Sequence, residues 1–460
     1  MKYLLLWGIG ATLLVGCRCG EKWPMAELGG IPATASIPEE SVSLDRAPKS
    51  PPYHLTDLVE MGLETNPETK AAWWQAKAAV AREGRARSKF YPKVAVGVGA
   101  EKSQVGSIGE GSSDKTMVLK EGFGPSVEMA YRLFQFGADE ATAESARCTL
   151  YAAHFQFNRK LQEWVFQVQR SYYQFCLAQA VIEAREANVN DAKASHEAVL
   201  KQRESGLAKR QDELRAQAEL LQATYEREAA KAQYETCRAE LAQKVGIEVS
   251  DKFEVQTTFE IPVDIHLEEV EEWLRKAITA HPELQSARNR FLSEEWKRKA
   301  EKRGSWPEVT VGWTGGLKKW SSASRWGQNY TVQVGLKWTL FDGFDREYRE
   351  WEAYAQKKIA EMDLRQTKLR ILSEVWAAYH KFKSSTESLV SAKALELSST
   401  EAMKAVRVGY DAGVNNLLDL LSAQKLLAQA RLSHIQARAD VAIHLVSLAC
   451  AAGQMELQKP

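Results

Sequence analysis

The sequence predicts a mainly α-helical protein that consists of two related halves and carries a small β portion. Three observations lead to this fold class. Residues 138–205 and 344–408 contain neither glycine nor proline and are rich in helix-forming residues. Similar segments recur along the chain at spacings of 215 and 207 residues, and four short segments alternate between apolar and polar residues.

Recurring residues define the two halves. "NPETKAAWWQ" begins at Asn66 and "HPELQSARNR" begins at His281, 215 residues later. Further along the chain the shift is 207 residues. At that spacing Phe134, Tyr172, Phe175, Gly206, Asp212 and Gln217 recur as Phe341, Tyr379, Phe382, Gly413, Asp419 and Gln424. We therefore predict repeats at 55–246 and 266–453, an inter-repeat segment at 247–265 and a tail at 454–460, each repeat having the order helix, strand, strand, long helix, helix.

The chain begins with a targeting signal followed by an extended arm. "MKYLLLWGIGATLLVGC" has a basic start and an apolar run from Tyr3 to Val15 that is too short to span a bilayer comfortably. Its last four residues resemble the bacterial lipobox, which predicts a lipoprotein signal peptide at residues 1–17 with Cys17 lipidated. An ordinary signal peptide is the alternative. By resemblance to bacterial sorting rules, Arg18 favours the outer membrane. Residues 18–54 are rich in proline and read as a tether.

The long segments without breakers predict very long helices. At ~1.5 Å per residue, each helix would extend about 100 Å. Helices of this length occur mainly in coiled coils and repeat proteins.

Period-two patterning predicts four strands, near residues 93–103, 125–134, 308–315 and 330–341. In "VAVGV" three valines share one face, opposite Ala95 and Gly97. In "TVQVGLKWTL" the apolar residues from Val332 to Leu340 alternate with polar or small ones. This pattern fits a transmembrane β-barrel portion, with a soluble sheet that has one wet face as the alternative. Because the smallest membrane barrels have about eight strands, several chains would have to contribute.

Composition and motifs give no support to an enzyme or to a nucleic-acid-binding protein. The net charge is +1, and no basic block is interleaved with aromatic residues. The six cysteines form no CxxC pair, and the eight histidines form no HExxH motif. GxSxG, P-loop and GxGxxG motifs are also absent from the sequence. We therefore expect no catalytic residues, no cofactor and no metal site.

The ordered, doubled motifs resemble the TolC family of outer-membrane channel proteins. They include "LFDGFDRE" after the last strand and the paired segments "GLAKRQDELRAQ" and "GVNNLLDLLSAQ". The resemblance extends from about residue 55 to residue 453. It implies a homotrimer in which a twelve-stranded β-barrel continues into a twelve-helix α-barrel, with residues 247–265 in an equatorial belt.

The resemblance also implies a function. Such a protein would be a passive duct in the outer membrane and the periplasm, part of a tripartite efflux or secretion system. Its partners would be outer-membrane lipid, a periplasmic adaptor (membrane fusion protein) and an inner-membrane RND or ABC transporter. The lipobox is similar to that of the lipoprotein branch, but drug efflux, metal efflux and type I secretion all remain open. The alternative is a periplasmic adaptor or a structural coiled-coil lipoprotein without a channel.

Glycines are expected at the tips of the two helical hairpins. Gly206 and Gly413 are the breaks between paired helices, and glycine readily adopts the left-handed backbone of a helix end. The TolC family has its narrowest point at this periplasmic mouth. Asn415 stands where some members carry an arginine that links the closed state.

Three residues of this region match the family's gate. Asp419 matches the aspartate at the mouth, and Tyr410 and Asp212 match a tyrosine–aspartate link between neighbouring hairpins. Ser422 stands where some members have a second acid. A simpler role for Asp419 is that of a first-turn acid favoured by the helix dipole.

Overall fold

The computed structural model describes residues 52–107, 116–206, 208–249, 253–256, 269–320 and 326–455. The first half contains α1 (Leu55–Thr65), α2 (Pro67–Arg87), β1 (Lys93–Ser107), β2 (Thr116–Phe134), α3 (Ala138–Glu204) and α4 (Arg210–Val245). The second half contains α5 (Val270–Ala280), α6 (Pro282–Gly304), β3 (Glu308–Trp320), β4 (Trp326–Lys337), α7 (Asp345–Asp411) and α8 (Leu417–Ala451). The predicted signal peptide with Cys17, most of the arm and residues 456–460 lie outside the described residues.

Each half begins with two short helices where the sequence predicted one. Asn66 has φ −67° and ψ 124°, and its side chain accepts a hydrogen bond from the Glu68 N–H at 2.6 Å. Pro67 follows as the first residue of α2. Proline disfavours helical backbone at the preceding residue, so the chain breaks there and restarts with an N-cap. His281 precedes Pro282 with nearly the same backbone angles and makes the same break in the second half.

The two long helices fulfil the expectation of uninterrupted helical stretches. Helices α3 and α7 each contain 67 residues. Helix α3 lies at the centre of the chain and packs against α2, α4, α6 and α8. The core clusters of the two halves are related by the repeat, since the buried Phe175 in one corresponds to the buried Phe382 in the other.

The four strands form one antiparallel sheet in the order β1-β2-β3-β4. Pairing of β2 with β3 joins the two halves, and Met129 lies opposite Trp313. Strands β1, β2 and β3 are longer than predicted. Strand β4 ends at Lys337 rather than at residue 341, because its partner β3 begins at Glu308, directly opposite Lys337, and provides no further backbone groups.

The apolar faces of the two edge strands are uncovered in the single chain. Val94, Val96 and Val98 of β1 have between 62% and 80% of their surface exposed. Val332 and Val334 on β4 are similarly exposed. No helix of the described chain covers this face, whereas a soluble sheet would bury one.

The end of the arm meets the inter-repeat segment beside α3. Tyr53 forms a parallel bridge with Val255, and its N–H donates to Glu254 O at 3.0 Å. The Tyr172 hydroxyl donates to Gln256 O at 2.8 Å and so attaches this pair of segments to α3. Within the described residues, no helix combines the length and the apolar character needed to cross a bilayer.

Candidate functional site at the two hairpin ends

The two helical hairpins end side by side because α3 packs against α8. A cluster of apolar side chains holds the four helix ends together. It includes Val199 of α3, Ala216 of α4, Met403 of α7 and both Leu417 and Leu420 of α8.

Glycines occupy both turns. Gly206 has φ +76° and Gly413 has φ +73°, the left-handed region in which glycine is favoured. The Gly413 N–H donates to Tyr410 O at 3.0 Å, and the Val414 N–H donates to Gly409 O at 2.8 Å. These bonds satisfy the last carbonyls of α7 and fix the sharp turn into α8.

Asp419 is the third residue of α8 and takes part in a reciprocal capping box. The Asp419 N–H donates to Asn416 Oδ1 at 2.9 Å, and the Asn416 N–H donates to Asp419 Oδ2 at 3.2 Å. Both residues are exposed. The capping geometry accounts for one carboxylate oxygen, and the charge remains open to solvent at the hairpin end.

Asp212 occupies the equivalent position in α4 but has a weaker partner. Its Oδ2 accepts from the Lys209 N–H at 3.4 Å, and Arg215 is 4.0 Å from its Oδ1. Lysine carries no side-chain acceptor, so the reciprocal half of the box is missing. The repeat therefore conserves the position of the acid but not its full capping arrangement.

Tyr410 connects the two hairpins through a glutamine. Its hydroxyl donates to Gln202 Oε1 at 2.9 Å. Burial raises the pKa of Tyr410, and the charges of Asp212 and Asp411 add to this, although the bond to Gln202 lowers it. The structure thus brings Tyr410 near Asp212, but within the described residues of one chain its hydrogen bond goes to Gln202.

Asn415 forms a side-chain hydrogen bond to the end of α7 in its own hairpin. Its side-chain amide donates to Val406 O at 3.2 Å. A Cβ at Gly409 would overlap this amide, so the glycine makes room for it. Ser422, on the second turn of α8, is exposed.

Sequence reasoning missed several polar links between and within the hairpins. Glu213 is buried beside Arg203 and Arg210. Burial alone would raise its pKa, but hydrogen bonds from the two guanidinium groups outweigh burial and lower it. Between hairpins, Gln424 donates to the Ser195 hydroxyl at 2.6 Å. Among these residues, the sequence pointed only to Gln424, because it recurs in both halves as Gln217 and Gln424.

The comparison with known families decides the protein's class. A family model described as outer membrane efflux protein matches residues 58–246 and 273–454. The chain belongs to this family. The two matched segments correspond to the two repeats and include both hairpin ends.

Relatives of known name and structure share this architecture. Protein CyaE of Bordetella pertussis is 26% identical over 406 residues, which cover 87% of this chain and 84% of that protein. The outer-membrane protein VceC from Vibrio cholerae has a similar fold, with a TM-score of 0.74, 17% identity and coverage of 87% and 96% of the two chains. A membrane protein from Pseudomonas aeruginosa gives a TM-score of 0.78 at 19% identity, covering 87% and 93%.

Membership of this family defines what the chain does at a coarse level. It is an outer-membrane channel protein of a tripartite efflux or secretion system, a passive conduit rather than an enzyme. This outcome confirms the channel interpretation over the adaptor or coiled-coil lipoprotein that the sequence left open.

Proposed function

We propose that three copies of this chain close a twelve-stranded barrel in the outer membrane, continued by a twelve-helix tunnel in the periplasm. The observation that carries the proposal is the open four-stranded sheet with its uncovered apolar face. An open sheet edge leaves N–H and C=O groups unpaired, which lipid does not tolerate. Pairing β4 of one copy with β1 of the next would remove every edge.

Exposed aromatic side chains on the outer helices support the same assembly. Above the hairpins the helices follow one another in the row α2, α3, α6 and α7. Trp74 on α2 and both Tyr348 and Trp351 on α7 are largely exposed in the single chain. Because α2 and α7 are the first and last helices of the row, a neighbouring copy would cover these residues.

The resemblance to the lipobox and to the channel family supports an anchor and partners. Lipidation at Cys17 would fix each copy to the outer membrane. The periplasmic end of the tunnel would meet an adaptor protein and an inner-membrane RND or ABC transporter, which supplies the energy. The chain itself would provide the path and its control.

We place the control point at the hairpin ends. Asp419 and Asp212 lie at the starts of α8 and α4, and Asp419 is exposed. In a three-fold assembly each of them would form a ring of like charges. Such rings concentrate cations at a narrow opening. Tyr410 would hold the two hairpins of one copy together through Gln202.

Conductance of the purified protein in planar bilayers tests the proposal. We expect discrete channels from the wild type and none from Val334→Arg, because arginine on the lipid face of a membrane strand costs about 2–4 kcal/mol at the bilayer midplane. Gln333→Arg is the matched control. Gln333 is the residue next to Val334 and lies on the opposite face of β4, so an arginine there should leave channel formation intact. Channels from Val334→Arg with normal yield, or none from the wild type, would contradict the proposal.

A further inference from the structure

We infer that the concave face of the helical layer attracts anions, so that the body of the duct prefers anions while its acidic mouth prefers cations. The inference rests on the proposed trimeric duct and adds to it the charge class of the ions it prefers. Two cavities and their charges carry it.

An upper cavity of about 960 Å³ lies just below the sheet. Its walls come from α2, α3, α6 and α7, which pack one against the next. A cavity that reaches both the first and the last helix of such a row lies on its concave side. In a closed assembly this side would face the duct.

A lower cavity of about 750 Å³ lies near the middle of the long helices. Side chains of α4, α3, α8 and α7 line it, and these helices also follow one another in a row. Both cavities border α3 at different heights, and in the proposed duct both would lie on its inner surface.

The upper cavity carries uncompensated positive charge. Arg82, Arg85 and Lys93 line it, and none of them has an ion pair within the described part of the chain. By contrast, two of its acids are neutralised, because Glu294 pairs with Lys297 and Glu301 with Arg349. Glu352 is the one lining acid in this cavity without an ion pair to another described residue.

The lower cavity repeats the imbalance. Arg170, Lys244 and Lys381 line it, again without a carboxylate partner among the described residues. Of its acids, Glu163 lies 3.0 Å from the Arg159 guanidinium and Glu374 lies 2.6 Å from that of Arg370. Glu240 has no such partner in the described chain. Taken together, the two cavities expose six unpaired bases but two unpaired acids, in a protein whose overall net charge is +1.

Lys93 shows which way the upper cavity opens. Side chains alternate along a strand, so Lys93 shares a face with Ala95 and lies opposite Val94 and Val96. The valines form the uncovered apolar face that the proposed barrel turns to lipid. The cavity and its bases therefore lie on the water-filled side.

Fixed charges on such a surface act over a useful distance. At 0.1 M ionic strength the screening length is about 10 Å, and at 1 M it is about 3 Å. A duct lined with unpaired bases should accumulate anions at low salt and lose most of this preference at high salt. The acids at the mouth favour cations in series with this surface, so neutralising Asp212 and Asp419 isolates the contribution of the bases.

Reversal potentials of the full-length protein under a potassium chloride gradient test the inference. We expect the Asp212→Asn, Asp419→Asn protein, in which the mouth is neutral, to favour chloride near 0.1 M and to lose that preference near 1 M. Arg82→Glu combined with Arg85→Glu should shift the reversal potential towards potassium, and Arg170→Glu combined with Lys244→Glu should do the same. Lys70→Glu is the control, because Lys70 is exposed on α2 but lines neither cavity. The doubly neutral Arg82→Gln, Arg85→Gln protein should show a smaller shift in the same direction.

The outcomes separate this inference from the proposed function. A potassium preference in the protein with the neutral mouth, or a reversal potential that both double reversals leave unchanged, would overturn the inference and leave the duct standing. A shift from Lys70→Glu as large as those from the cavity variants would also overturn it, because the inner surface would then have no special role. The absence of any channel would overturn both.

Discussion

Asp419 has two separable roles in this account, and two substitutions distinguish them. Its carboxylate accepts a hydrogen bond from the Asn416 N–H, and its charge would contribute to a ring at the mouth. Asp419→Asn keeps an oxygen acceptor at the capping position but removes the charge. Asn416→Ala keeps the charge but removes the side chain that accepts from the Asp419 N–H at 2.9 Å.

The expected magnitudes differ between the two variants. Losing an N-cap side chain costs about 1 kcal/mol per helix, so Asn416→Ala should lower the unfolding temperature. Losing the acid in Asp419→Asn costs only about 0.3–1 kcal/mol through the helix dipole. A trivalent cation about 10 Å from one carboxylate gains roughly 1 kcal/mol in water before screening. Three screened carboxylates should then change its blocking concentration on the order of tenfold.

Block of single-channel current by hexaamminecobalt(III) measures the charge effect. We expect Asp419→Asn to need about tenfold more blocker and Asn416→Ala to behave as the wild type. Glu401→Gln, which removes an exposed carboxylate from α7 farther from the turn, is the control. Unchanged block in Asp419→Asn, or equal changes in Asp419→Asn and Asn416→Ala, would refute a gate role for this charge and leave capping as its function.

Three further predictions concern the framework of the fold. Burial lowers the pKa of His281 to about 4, so the unfolded chain binds a proton there more readily than the folded one. The free energy of unfolding should therefore fall as pH drops from about 6.5 to about 4. His281→Asn copies Asn66 of the first repeat and should make the melting temperature less dependent on pH over this range. A Cβ at Gly246 would lie 2.7 Å from Asn66 Cα, whereas a Cβ at Gly206 would meet open space. Gly246→Ala should therefore lower the melting temperature clearly more than Gly206→Ala. Similar losses in melting temperature would contradict the close packing of Gly246 against Asn66. Ser293 is buried and hydrogen-bonded to Ser145 across the α3–α6 contact. Ser293→Leu should therefore lower the free energy of unfolding by about 1–3 kcal/mol in denaturant unfolding. An unchanged denaturation midpoint would contradict close packing at this contact.

Repetition made much of the fold predictable. The absence of glycine and proline marked α3 and α7 almost to the residue, because those two residue types are the strongest helix breakers. The 207-residue spacing related Gly206 to Gly413, and both have positive φ. Local rules and their duplication were sufficient for these features.

Features that depend on tertiary pairing were predicted less well. The end of β4 is determined by where β3 begins, so the pattern in "TVQVGLKWTL" placed the strand too far along the chain. The junctions to the long helices show the same limit. Phe136 and Gly137 both have positive φ, and so do Gly343 and Phe344, although glycine and phenylalanine have exchanged places. A sequence pattern alone does not reveal that a phenylalanine adopts this backbone.

The candidate site was predicted in position but not in its bonds. The repeat located Asp212 and Asp419 near the turns, and the family resemblance singled out Tyr410. The partner of Tyr410 is nevertheless Gln202, since the relative rotation of α3 and α7 decides which polar group its hydroxyl reaches. Such rotations come from core packing around the helices rather than from residue spacing.

The central claim is that this chain completes its sheet only together with copies of itself. Native mass spectrometry of the detergent-extracted protein tests it most directly. The account predicts an assembly with the mass of three chains, which would supply the twelve strands of the proposed barrel. A folded single chain as the stable species in detergent would contradict it.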